Sequence, residues 1–455
     1  MPIQSINPST GEIIKTYEAL NEEQIEAALV VADAAFKNWR NIKLEARAAL
    51  VHSLADELES TATQSARTMT LEMGKTLSAG VAEIEKCVKY CHYTADKASD
   101  YLADTIIDTE YKQSFTRPLP LGTILLVMPW NFPFWQVIRV AVAAILAGNT
   151  CLLKHASNVP ASALAIEDIF IKAGFPKGVF QTLLIGSSKV ANILEDDRVH
   201  SASLTGSERA GSAVAATCGK MIKPCVLELG GADPFIVMPS ADLPAAIDHA
   251  ITGRMRNNGQ SCIAAKRLIV HEDIYDDFRK GFMAKVNDIK LGDPMGKDTD
   301  MGPLSSKRAL ADAEAALIAA IDAGATVSPG DQPLPAKGCF MRPGIIEGVT
   351  KDMTLYGQEI FAPVAMLFKI GSLREAITLA NDSQLGLSSV LFSQDEAEHK
   401  QAINTLEAGS TYINRYASSD IRMPFGGTKR SGFGREMAKE GMLAFTNLKT
   451  IIVAN

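Results

Sequence analysis

The 455-residue chain has no surplus of positive charge: 45 Lys and Arg stand against 52 Asp and Glu, for a net charge of −7. Displacing counterions from a nucleic-acid backbone requires a basic face, so nucleic acid is not an expected partner. Cysteines are few and unpatterned. The seven (Cys87, Cys91, Cys151, Cys218, Cys225, Cys262 and Cys339) are odd in number and widely spaced, which excludes a disulfide framework. Cys87 and Cys91 lie one helical turn apart beside His92, but no CxxC or second cluster completes a ligand set, and no metal is expected. No apolar run is long enough to span a bilayer. The most apolar stretch, "VAVAAILAGNTCLL", covers 140–153 and is broken by Gly148 and Asn149. The opening "MPIQSINPSTGEI" has neither the basic start nor the apolar centre of a signal peptide, so the expected location is cytoplasmic, with no membrane partner. Both standard phosphate loops are also missing. No GxGxxG follows a strand pattern, and "LEMGKT" (71–76) has Met69 where a P-loop needs its first Gly.

What is present is an ordinary globular composition, 47% hydrophobic and 21% charged, in a chain too long for one core. Two or three domains are expected. Asn21 followed by Glu22, Glu23 and Gln24 reads as a capped helix start, and Ile25, Leu29, Ala32, Phe36 and Trp39 form one helical stripe. Further helices are expected over about 43–72 and 77–105. After the turn-rich "SFTRPLPLG", strands and helices alternate: strands at 123–130, 150–154, 179–184 and 201–206, helices at 135–146 and 160–173. This rhythm predicts an α/β fold with a parallel sheet covered on both faces, and nucleotide sites in such sheets lie at the carboxyl ends of the strands. A second alternating block after Gly230-Gly231 has strands at 234–238, 267–271 and 387–392. The tail "LKTIIVAN" reads as a terminal strand that needs a partner, inside the subunit or across an interface.

Short motifs stand at the ends of these elements: "MPWNFP" (128–133), "LTGS" (204–207), "LELGG" (227–231), "GQSC" (259–262), "QEIFAP" (358–363), "NDSQLGLS" (381–388) and "PFGGTKRSGFGRE" (424–436). Any one of them is weak. A lone Cys262 reads as a core thiol, and Asn131 as a turn residue near Pro133. Together and in this order they resemble the aldehyde dehydrogenase superfamily over essentially the whole chain. The resemblance implies two Rossmann-like parallel-sheet domains plus a small β oligomerisation element. The dinucleotide-binding domain would take 1–100 and 120–228, the catalytic domain 229–421, and the oligomerisation element 101–119 and 436–455, in a homodimer or homotetramer.

It also implies roles. Cys262 is the expected nucleophile, which must be activated because a free thiol is mostly protonated at neutral pH. Asn131 and the Cys262 N–H are the expected oxyanion donors. Glu228, 34 residues before the cysteine and flanked by two leucines, is the expected general base, with burial raising its pKa. For the cofactor, Ser207 matches the pyrophosphate ligand, Trp130 and Lys154 the residues flanking the adenosine ribose, Glu359 the nicotinamide-ribose ligand, and Phe361 the aromatic beside the nicotinamide. One departure carries information. Many NAD-preferring members read Lys-Pro-Ser-Glu where this chain reads "KHASN". Ser157 replaces a carboxylate that would repel a 2′-phosphate, so NADP is expected as the preferred cofactor and NAD as the lesser one. Ala362, where the family usually has Gly, has no assigned consequence.

Arg139, eight residues after Asn131, and Arg256, six before Cys262, lie at spacings similar to those of succinate-semialdehyde dehydrogenases, in which arginines bind the substrate's distal carboxylate. Ser419 matches an assisting hydroxyl. The implied substrate is a small aldehyde with a distal carboxylate. A plain aliphatic or aromatic aldehyde is the alternative, and a binding protein that has lost catalysis is the rival from another class. Ala264 occupies the position of a second cysteine found in some of these enzymes, so no local redox switch is expected.

Overall fold

The computed structural model describes residues 2–454. The first sheet orders its strands Gly432–Phe433, Cys225–Glu228, Val199–Thr205, Thr123–Met128, Thr150–His155 and Phe180–Thr182. All but Gly432–Phe433 run parallel. The chain starts at 123–128, steps outward to 180–182, and then returns on the other side of its first strand. The strand order therefore reverses between 123–128 and 199–205, and a crevice opens there beyond the carboxyl ends. The second sheet orders Thr326–Pro329, Gly344–Glu347, Val364–Ile370, Arg267–His271, Pro234–Val237, Ser388–Phe392 and Ser410–Ile413, parallel apart from its first pair. The terminal strand Thr446–Val453 pairs antiparallel with Gln113–Pro120, which also holds Thr105–Ile106.

Local chemistry explains the elements that place the site. Asn21 and Gln24 form a reciprocal capping box at the head of Glu22–Trp39, and the five-residue stripe is buried. The expected helix over 43–72 is two helices, Leu44–Ser60 and Ala62–Met73. They part at Thr61, whose hydroxyl donates to Glu57 O at 2.7 Å and competes with the helical ladder. The Leu77–Tyr101 helix carries Glu83 inward. Its Oε1 accepts the N–H groups of Phe134 and Trp135, each at 2.9 Å, and caps the start of Trp135–Leu146. Glu83 is itself neutralised by buried Lys75. Every residue of Trp135–Leu146 is buried. Each of its Val, Ile and Leu side chains contributes about 1.5–3 kcal/mol by leaving water. That burial fixes a helix that also carries Gln136 and Arg139. Among the described residues no helix is long and apolar enough to cross a membrane, and no group of three or more His, Cys, Asp or Glu is placed to hold a metal.

Candidate active site

Two cavities meet at Cys262. One, of about 270 Å³, lies on the crevice side and is lined by Trp130, Asn131, Thr205, Ser207, Gly230, Glu359 and Phe361 among others. The other, of about 90 Å³, lies on the opposite side, against Lys86, Phe132, Trp135, Arg139, Arg256 and Ser419. Cys262 and Gln136 line both. The thiol is thus reached from two directions.

The loop carrying the thiol is strained. Asn257, Asn258 and Gly259 have φ of 55°, 58° and 75°, three left-handed residues in succession. A Cβ at Gly259 would sit 2.5 Å from Pro363 N, so only Gly fits. The asparagine amides hold the turn. Asn257 Nδ2 donates to Asn131 O at 2.8 Å and Gln260 O at 2.9 Å, and Asn258 Nδ2 donates to Gly74 O and Pro303 O. The oxyanion loop and the thiol loop are thereby tied together. Asn131 is buried, uses its amide once toward Gln260 O at 3.2 Å, and leaves Oδ1 unpartnered. Among the described residues the Cys262 N–H has no acceptor.

Burial pushes the Cys262 thiol up to about 11. Lys266 and then Arg139 pull it down, while Glu359 and Asp233 push it up. Lys266 is a residue the motifs did not reveal. It is fully buried, donates to Ser261 O at 2.8 Å and to Cys262 O, and pairs with Glu359 at 2.7 Å. The twin glycines of "LELGG" are required by the same crowding. A Cβ at Gly230 would meet Glu359 Oε2 at 2.3 Å, and one at Gly231 would meet Cys262 O at 2.7 Å.

Glu228 lies apart from the thiol cavities and lines neither. Both carboxylate oxygens are buried without a hydrogen-bond partner, and Oε1 points at Gly426, where a Cβ would come within 2.7 Å. Burial, and then repulsion from Glu436, raises its pKa well above the usual carboxylate range. Arg139 takes up the charge of Glu436 in a buried ion pair, and its Nη2 reaches Thr205 Oγ1 at 3.4 Å. A buried cation needs a buried anion, so this guanidinium is already partnered within the protein. Arg256 differs: it is exposed, stacks 5.9 Å over the Phe132 ring, and has no ion-pair partner among the described residues. Ser419 accepts a hydrogen bond from Lys86 at 2.6 Å through its hydroxyl.

On the crevice side, Ser207 caps the Glu208–Lys220 helix, so the helix's amide-rich end faces the cavity and favours an anion. Trp130 and Phe361 meet edge to face at 5.7 Å. A larger groove of about 810 Å³ continues outward past Trp130, Asn158, Ser207 and Arg308. Lys154 is buried, and burial lowers its pKa; Ser157 is exposed two residues beyond the end of its strand. Between them His155 is held neutral by burial, with its pKa down to about 4. It accepts from Ala156 N, which leaves the other ring nitrogen to donate to Pro133 O at 3.0 Å. The helix terminus at Ser207 suits a phosphate anion, while Lys154 and Ser157 line neither this cavity nor the outer groove.

The model of the aldehyde dehydrogenase family matches residues 1–451. The chain belongs to the aldehyde dehydrogenase family. It is 48% identical, over all of both chains, to succinate-semialdehyde dehydrogenase [NADP(+)] 1 of Mycobacterium tuberculosis, and equally to succinate-semialdehyde dehydrogenase [NADP(+)] of Mycobacterium leprae. Its structure superposes on the crystal structure of succinic semialdehyde dehydrogenase from Streptococcus pyogenes in complex with NADP+ with a TM-score of 0.97, at 37% identity and full coverage of both chains. Membership in the aldehyde dehydrogenase family accounts for a nucleotide-type crevice that has neither standard phosphate loop.

Proposed function

We propose that the protein oxidises succinate semialdehyde to succinate with NADP+ as preferred cofactor and NAD+ as a lesser one. The observation that carries this reading is the pair of cavities joined at one thiol, the first suited to a dinucleotide and the second bearing cations without acidic partners. The relatives named for this activity support the substrate and the cofactor.

In this reading the Cys262 thiolate attacks the aldehyde carbon, and Asn131 Nδ2 and the Cys262 N–H hold the resulting oxyanion. Bound NADP+ supplies the acceptor for the hydride released as the thiohemiacetal becomes a thioester. Trp130, Lys154, Ser157, Ser207, Glu359 and Phe361 bind and orient that cofactor. Glu228, turned from its buried position toward the thiol, takes a proton from the water that hydrolyses the thioester. Arg256 and Ser419 hold the distal carboxylate at the far side of the second cavity. Arg139 stands behind them in its pair with Glu436.

Residues 1–100 and 120–228 form the dinucleotide-binding domain of this reading, and 229–421 the catalytic one. Segments 101–119 and 436–455 form an oligomerisation element in a cytoplasmic homodimer or homotetramer. The exposed Leu448, Ile452 and Ile106 on the small three-stranded sheet support that element.

The test is a set of initial rates at 340 nm with NADP+ and a panel of succinate semialdehyde, butanal and benzaldehyde. A kcat/KM for succinate semialdehyde at least a hundredfold above butanal is expected. Equal values would hand the function to the plain-aldehyde reading.

A further inference from the structure

The acid that lines the substrate-side cavity, Glu83, and the acid behind its Arg139, Glu436, are already engaged. Glu83 is neutralised by Lys75 and caps the helix beginning at Trp135, and Glu436 is paired with Arg139. Two cations remain with no acidic partner among the described residues, Arg256 and Lys86. Arg256 is exposed at the rim. Lys86 is half-buried on the cavity wall, its ammonium 4.2 Å over the Trp135 ring. Among the described residues its hydrogen-bond acceptors are the Ser419 carbonyl at 2.8 Å and the Ser419 hydroxyl at 2.6 Å. An ammonium has three donors and here uses neutral oxygens alone, which leaves part of its charge unanswered in a desolvated place.

We propose that Lys86 is the principal charge partner of the substrate's distal carboxylate and sets the enzyme's selectivity for acidic aldehydes, with Ser419 holding the ammonium in position and Arg256 closing the rim. This deepens, and rests on, the reading of the protein as a dehydrogenase of a carboxylate-bearing aldehyde. A half-buried ammonium that meets its first carboxylate in the substrate gains most when that substrate arrives, so the energy appears as selectivity and not as fold stability.

The surroundings add a pH signature. Burial, followed by Arg256 and Arg139, lowers the Lys86 pKa to about 7, against weaker upward pulls from Cys87 and Glu83. On the Ser419 segment, Asp420 is committed to Arg422. In the free enzyme Lys86 therefore loses its proton as pH rises through about 7. A bound carboxylate restores the charge, so acidic substrate binds with uptake of a proton and binds more weakly at higher pH.

The experiment compares wild type with K86M and K86R on succinate semialdehyde and butanal from pH 6.5 to 9. Expected for K86M is a KM for succinate semialdehyde raised at least tenfold, with kcat within threefold and kcat/KM for butanal within threefold. K86R should recover most of the loss. In the wild type the KM for succinate semialdehyde should climb with pH while that for butanal stays level. A K86M enzyme with unchanged KM, or one that loses butanal activity equally, overturns the proposal. If K86M does not fold, a wild-type KM for succinate semialdehyde that is flat with pH overturns it as surely. A wild type that does not favour succinate semialdehyde over butanal instead sinks the underlying reading, so the two failures are separable.

Discussion

Lys266 Nζ lies 2.7 Å from Glu359 Oε1 and at the same time donates to the carbonyls of Ser261 and Cys262. One buried ammonium thus spans the loop of the candidate nucleophile and the residue expected to hold the nicotinamide ribose. It is also the foremost electrostatic influence lowering the thiol's pKa. The thiolate fraction grows as pH rises toward the thiol's pKa of about 11, so cofactor-free enzyme should react slowly with iodoacetamide at pH 7 and faster with each step above it. K266M should shift this profile to still higher pH, because the positive charge that lowers the thiol's pKa most is gone. A profile unchanged in K266M would refute the link.

Replacing Cys262 by Ala should abolish aldehyde oxidation while NADP+ binding, followed by fluorescence quenching, persists. Asn131→Ala removes one oxyanion donor and should lower kcat by about 10²–10³-fold with little change in cofactor affinity. A loss below threefold would mean that the oxyanion is held elsewhere.

Burial and then repulsion from Glu436 push the Glu228 carboxyl well above the usual carboxylate range. A general base works only when ionised, so turnover limited by thioester hydrolysis should rise with pH. E228Q should keep a first-turnover burst of NADPH and lose steady-state turnover. The burst separates acylation from hydrolysis, and its absence in E228Q would place Glu228 earlier in the reaction.

Ser157 is exposed, so a carboxylate introduced there would act on the proposed 2′-phosphate through a partly screened repulsion. S157E should lower kcat/KM for NADP+ at least tenfold and leave NAD+ equal or improved. An undiminished NADP+ preference in S157E would move the discriminating contact to Lys154 or across the groove toward Arg308.

Much of the fold was legible because its signals are local. The Trp135–Leu146 helix begins and ends where the sequence places it, and the stripe from Ile25 to Trp39 is buried as the 3.6-residue period requires. Strands 344–347, 364–370 and 410–413 were not read. They lack period-two alternation: 344–347 and most of 364–370 are buried on both faces, and 410–413 is half-buried throughout, so none gives such a pattern to find. In the site, Lys86 and Lys266 were missed for a different reason. A lysine on a charged helix face or after "IAA" reads as solvated, and only the arrival of Trp135 and Ser419, or of Glu359, from distant segments makes either one special. The Arg139–Glu436 pair spans nearly 300 positions and has no local trace.

The three left-handed residues ahead of Cys262 restrict what evolution or an engineer can write there. Asparagine and aspartate tolerate that backbone region, and glycine alone fits against Pro363. Because the buried Asn257 and Asn258 amides also donate to two carbonyls each, a saturation library over 257–259 should return almost only Asn at its first two sites and a single letter at the third. The tightest spelling rule in the chain would then fall on residues whose task is to shape the backbone ahead of the thiol.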